Sequence, residues 1–210
     1  VALVSSVVMK GLVAGKRTAC ASNMRQIGRA IFAYCDDHDG SFPQTTHGVP
    51  ISERTNAWIH SLAPYMSNVD RVRISPGDRR GEARLGNDGT SYIMNEYVAV
   101  TLRSFGGVSE DYTNIDYLVK PSLTYLMFIA ADDLPPGITS DHTHSRAWPS
   151  GWDTVLEDIQ PDMHRVGSAR GDHTRGKSNY LFADGHVDSI EGKDMKKIWE
   201  QNRDFARPPE

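Results

Sequence analysis

Cysteine is nearly missing from this 210-residue chain: only Cys20 and Cys35 occur, both inside the segment that reads as an N-terminal helix. Fifteen helical residues at about 1.5 Å rise would hold them roughly 22 Å apart, and a disulfide tolerates about 7 Å between Cα atoms. A bond between the two is excluded. Cys20 reads as a small core residue, with an intermolecular or redox role as the alternative. A surplus of positive charge is also missing, since 23 Lys and Arg face 27 Asp and Glu for a net charge of -4. With no basic field to hold a polyphosphate backbone, nucleic acid is not an expected partner. The Gly-x-Ser-x-Gly elbow and the glycine-rich phosphate cradle are absent too. Ser, His and Asp are plentiful but form no organised nucleophile, base and orienting group, so no catalytic residue is expected and the chain does not read as an enzyme.

The chain also lacks a hydrophobic run of full membrane-spanning length. Val1 to Ala14 is almost free of charge and Lys16-Arg17 follows, but a span needs about 20 residues. Composition alone fits a truncated span and a buried helix equally. Residues 1–36 read as one long helix with a bend expected near Gly15. Cys20, Met24, Ile27, Ile31 and Tyr34 recur at three- and four-residue steps and so share a face, while Arg25, Gln26 and Arg29 lie off it. That face is expected to pack on a sheet. The first half is apolar all round and needs lipid or neighbouring helices. Gly11, Gly15 and Gly28 each cost a helix about 1 kcal/mol against Ala, a cost that close packing would offset. Gly40 marks the stop, with Pro43 beyond it.

The remaining residues, 37–210, read as one globular head. Asn56 is expected to cap a short helix carrying Ala57, Trp58, Ile59 and Leu62, stopped by Pro64. Asp70 to Gly89 is loop chemistry. Ser91 to Val100 and Leu123 to Ala130 read as strands. Residues 132–172 read as one long irregular stretch, and Asp194 to Phe205 as a closing helix. Ser178 to Val187 carries the strongest local signal. Asp184-Gly185 between apolar, aromatic-rich runs is a hairpin tip of type I′, both central residues needing positive φ. Leu181 and Ala183 alternate with Tyr180 and Phe182, so that strand has two apolar faces and belongs between other elements. The expected fold is α+β: a long N-terminal helix on a small antiparallel sheet, with long loops and a C-terminal helix.

The order of several short motifs goes further. Cys20-Ala21-Ser22-Asn23-Met24-Arg25-Gln26-Ile27-Gly28, then Asp39-Gly40-Ser41-Phe42-Pro43, Trp58, Ser75-Pro76-Gly77-Asp78, Ser91-Tyr92-Ile93-Met94-Asn95 and Asp184-Gly185-His186 follow one another along the chain. Together they resemble bacterial pseudopilin-like proteins of the prepilin type, whose C-terminal mark is a His, nine residues and then Asp-Gly. Here His173 precedes Asp184 by ten intervening residues, unless His164 is the matching histidine. The family's processing motif is absent, from which Val1 is expected to lie inside the original helix. Ser75 stands where relatives often carry Cys. The resemblance implies a structural subunit of a type II secretion or type IV pilus-like envelope system. It also implies anchoring in the inner membrane by the N-terminal helix, a head in the periplasm or outside the cell, and other pseudopilin subunits as partners. The motif residues carried over are His173, Asp184, Gly185 and His186.

By the same resemblance, calcium is a possible cofactor with Asp172 and Asp184 as oxygen ligands; hydrogen-bonding and turn roles for these residues are the competing assignment. His142 and His144, with Asp141 before them, form part of a zinc or copper pattern that lacks further ligands at fixed spacing. The alternative function is a membrane-tethered protein that binds a glycan or other extracellular ligand through residues 132–172, with Trp148 and Trp152 stacking on sugar faces. Buried indoles would favour the subunit reading.

Overall fold

The computed structural model describes residues 2–104 and 107–210, with the head built around a four-stranded antiparallel sheet. Val1, the expected first residue of the apolar segment, lies outside the described residues. A single helix, α1 (Ala2–Asp37), opens the chain without a break. Short helices α2 (Trp58–Ser61), α3 (Val69–Val72) and α4 (Gly81–Gly86) lead to strand β1 (Tyr92–Met94) and helix α5 (Glu96–Ala99). A small antiparallel pair, β2 (Leu102–Ser104) and β3 (Gly107–Glu110), precedes β4 (Tyr125–Ile129) and helix α6 (Trp152–Asp158). The hairpin of β5 (Lys177–Phe182) and β6 (Val187–Glu191) runs into helix α7 (Gly192–Gln201). The main sheet is ordered β1-β4-β5-β6.

Side-chain alternation divides the core in two. Leu181 and Ala183 join Met24, Ile27, Ile31, Trp58 and Tyr92 beneath α1. Tyr180 and Phe182 join Phe128, Trp148, Met195 and Trp199 on the opposite face. The expected two-faced strand is therefore present, packed between α1 and a second aromatic layer. Cys20, Met24, Ile27 and Ile31 are fully buried, as their spacing requires, and Tyr34 is half-buried. Gly28 permits the close approach: a Cβ there would lie 3.1 Å from Leu181 Cδ1.

Beyond its buried face, α1 projects with Val7, Val8, Met9 and Leu12 exposed. Among the described residues no helix is long and apolar enough to cross a membrane. The helix stops where Asp39 and Gly40 both take positive φ, and the Gly40 N–H donates to the Cys35 carbonyl at 2.9 Å. This is the return bond of a left-handed helix end.

Several local expectations need correction. Asn56 does not cap α2; the cap position is Ala57, with no side-chain bond. The strand expected over Ser91 to Val100 ends at Met94, because the Asn95 side chain accepts from the Tyr97 N–H and starts α5. Its amide also donates to the carbonyls of Tyr125 and Ala206 at 2.8 and 2.7 Å. Residues 132–172 are not one irregular loop, since a 3-10 segment at Ser145–Ser150 and α6 lie within them. The closing helix starts two residues before Asp194 and ends at Gln201, short of Phe205.

The hairpin itself is present, but with a different turn. Gly185 has φ +88 and Asp184 is not among the residues with positive φ. The Gly185 N–H donates to the Phe182 carbonyl and the Phe182 N–H to the His186 carbonyl. The loop is therefore three residues long with glycine at its left-handed position, rather than type I′.

Candidate functional site

His173, the histidine carried over with the family motif, sits at the open end of the β5–β6 hairpin in the loop before β5. Its backbone is left-handed, with φ +49, and its carbonyl packs so closely on Gly192 that no Cβ fits there. Its Nδ1 lies 2.9 Å from Asp162 Oδ1 and 2.7 Å from Gln160 Nε2. Asp162 is fully buried. Its Oδ1 also accepts from Gln160 Nε2 at 2.6 Å and from Arg165 Nη1 at 3.0 Å. Arg165 extends the chain by donating from Nη2 to Asp132 Oδ2 at 3.0 Å, and Gln160 Oε1 accepts the Asp132 N–H at 2.9 Å. Asp132, Gln160, Arg165 and His173 line a polar cleft of about 320 Å³, rimmed by Arg79 and Arg170.

In chemical terms the cluster is a clasp. A buried carboxylate shared by a guanidinium, an amide and an imidazole ties the loop before β5 to the segment after α6. The guanidinium balances the carboxylate, so the low-dielectric interior holds a pair and not a lone charge. Sequence reasoning flagged His173 but missed Asp132, Gln160, Asp162 and Arg165. The available signal was Gln160-Pro161-Asp162 followed by Arg165, three residues beyond the aspartate, between two apolar elements.

Asp184, Gly185 and His186 lie at the other end of the same hairpin. Partial burial opposes charge on Asp184, but the His186 N–H and imidazole outweigh it and hold the carboxyl below its usual range. His186 Nδ1 is 2.5 Å from Asp184 Oδ1, and the ring stacks on Phe182 at 4.3 Å. Gly185 faces α1, where a Cβ would come within 2.7 Å of Phe32 Cε2. His173 and the Asp184 turn therefore clamp opposite ends of β5 and do not meet.

The calcium pair falls with this geometry. Asp172 neighbours His173 and accepts from the Thr174 hydroxyl at 3.0 Å, while Asp184 turns the far tip. The six residues of β5 between them span roughly 20 Å, far beyond the 2.3–2.6 Å at which one ion holds its oxygens. His142 and His144 are each paired with a carboxylate, Asp141 at 2.8 Å and Asp158 at 3.1 Å. Among the described residues no three His, Cys, Asp or Glu side chains form a group able to hold a metal ion.

The tryptophan assignment is also corrected. Trp148 is fully buried and Trp152 is 7% exposed. Trp148 donates to Asp158 Oδ2 at 2.8 Å and stacks on Phe205; Trp152 donates to the Asp172 carbonyl at 3.1 Å. Neither indole offers a face to a sugar.

Other residues that carried the resemblance also do structural work. The Asp78 side chain is fully buried and accepts from Arg84 Nε at 2.9 Å and Ser91 Oγ at 2.6 Å. Trp58 donates to the Asp141 carbonyl at 3.0 Å. No family model matches the chain, and no match is found among curated proteins or solved structures.

Proposed function

We propose that this protein is a non-catalytic structural subunit of a type II secretion or type IV pilus-like envelope system. In this reading it is anchored in the inner membrane by α1, carries its head in the periplasm or outside the cell, and assembles with other pseudopilin-like subunits. One observation carries the reading: a single 36-residue helix is sunk into the head by its second half while its first half leaves Val7, Val8 and Leu12 68, 62 and 53% exposed. A helix end that is apolar and uncovered in a lone chain needs lipid or other helices around it. The head supports the same role, since its motif residues fasten loops and turns and its indoles are buried.

The test is fractionation of the product of the native gene in its own cells. Recovery in the membrane fraction, released by detergent and not by high salt or carbonate, is expected. Single cysteines introduced in place of Val8 and Leu12 are expected to cross-link between copies in those membranes. A product found only in the soluble fraction would refute the anchor, and membrane-bound protein without cross-links would refute the assembly.

A further inference from the structure

Where α1 leaves the head, a second cleft of about 320 Å³ opens between the helix and the loops beneath it. Its walls differ in character. Met9, Leu12 and Val13 of α1 face Met163 and supply apolar surface, while Lys16, Arg79, His164 and Arg165 supply nitrogen donors. Two of these donors are buried and unsatisfied. His164 is 5% exposed and Arg165 7% exposed, yet neither His164 Nε2 nor Arg165 Nε has a hydrogen-bond partner. Buried polar atoms without partners are uncommon and costly.

Charge points the same way. Burial first, then Arg17 and Lys16, push the His164 imidazole down to about 4, so it is neutral near pH 7 and offers one N–H. Lys16, Arg17 and Arg79 make no ion pair with any described residue. Although the chain is net acidic, no Asp or Glu precedes Asp36. Residues 1–35 of a second copy therefore offer no carboxylate to this cleft.

We propose that the cleft binds the phosphate of an anionic phospholipid headgroup, with Lys16, Arg79 and the unpartnered His164 and Arg165 donors toward the phosphate and the first carbons of the acyl chains against Met9 and Leu12. The proposal rests on the membrane-anchored reading and deepens it: the head is held at the membrane surface by a headgroup as well as by its helix. A phosphodiester accepts several charge-assisted hydrogen bonds at once. The same molecule carries the apolar portion that the α1 wall suits.

Titration with dihexanoyl phosphatidylglycerol below its micelle concentration tests this with the whole chain in solution, followed by NMR of the histidine rings. This readout does not depend on helix insertion, and cell fractionation does not depend on headgroup, so the two ideas can fail separately. Saturable binding is expected to perturb the His164 ring and raise its pKa, with dihexanoyl phosphatidylcholine at least tenfold weaker. The pair Lys16→Glu and Arg79→Glu is expected to weaken binding at least tenfold. The pair Arg25→Glu and Arg29→Glu makes the same charge change outside the cleft and is expected to alter it less than twofold. Equal losses in both pairs, or an unperturbed His164, would overturn the site. Inorganic phosphate binding as tightly as the lipid would overturn the assignment to a headgroup.

Discussion

Replacing Ser75 by cysteine places a second thiol beside Cys20, whose side chain has Ser75, Tyr92 and Asn179 as hydrogen-bonding neighbours. A disulfide between Cys20 and the introduced thiol would staple α1 to the head across a loop of 55 residues. The chain-entropy relation gives about 4 kcal/mol for a loop of that length. At about 2–4 °C per kcal/mol for a chain of this size, the melting temperature rises by roughly 8–16 °C. The substitution also removes the Ser75 hydroxyl that accepts the Gly77 N–H at 3.3 Å, a loss of about 1 kcal/mol. Comparing the oxidised and reduced forms of the same variant cancels that loss. Burial pushes the Cys20 thiol up, which slows thiolate attack in the folded protein, so the bond should be formed by oxidative refolding. Thiol titration in denaturant is expected to fall from three groups to one, leaving Cys35 free. Three thiols persisting after oxidative refolding, or an oxidised form melting within about 3 °C of the reduced form, would refute the placement of α1 against Ser75.

Gly185→Val is expected to cost about 1–3 kcal/mol from backbone strain alone. The clash with Phe32 adds to this, so pairing it with Phe32→Ala should recover part of the loss in thermal melts; no recovery would contradict the packing of the turn on α1. Asp162→Ala is expected to destabilise the head by about 3–5 kcal/mol in urea titrations, because it strips the buried Arg165 of its central partner; a loss under about 1 kcal/mol would mean the clasp carries little. His164, about 6.5 when unfolded and about 4 when folded, binds fewer protons in the native state between those values. Stability should therefore be retained above pH 6.5 and fall by about 3 kcal/mol as pH drops toward 4. His164→Gln is expected to flatten that limb, and an unchanged acid profile would count against the depressed imidazole. Calcium and chelator are each expected to leave the melting temperature within about 1 °C, since a ligand stabilises only a site that exists in the native state; a rise of several degrees with calcium would overturn the separation of Asp172 from Asp184.

What could be read from the sequence was information carried by near neighbours. The α1 face followed from residues three and four apart, and the hairpin followed from Asp184-Gly185 between two apolar runs. The turn type did not follow, because Asp-Gly serves both a two-residue loop and a three-residue loop with glycine last. The break after Met94 was hidden for a different reason: Asn95 is held by the Ala206 carbonyl, 111 residues away. Helix α6 is only seven residues long and starts after Gly151 without a side-chain cap, so it gave no start signal. At the clasp, His173 stood out through the family motif. Its partners carry only a weak signal, the Asp162-to-Arg165 spacing: they follow no helical or strand period, and Asp132 and His173 join them only when the loops fold against the sheet end.

The unbroken run of α1 makes the chain a lever. At 1.5 Å per residue its 36 residues measure roughly 54 Å, and the side chains that grip the head begin near the middle, at Cys20. The free arm from Ala2 to Ala19 measures about 27 Å. With no hinge between them, a tilt of the head of about 10° swings the tip of the free arm by about 5 Å, close to one helical turn. Neighbouring rods that interlock along their free arms would fix the angle of every head they carry. Conversely, a load that tilts a head by about 10° would reach Ala2 as a sideways displacement of about 5 Å.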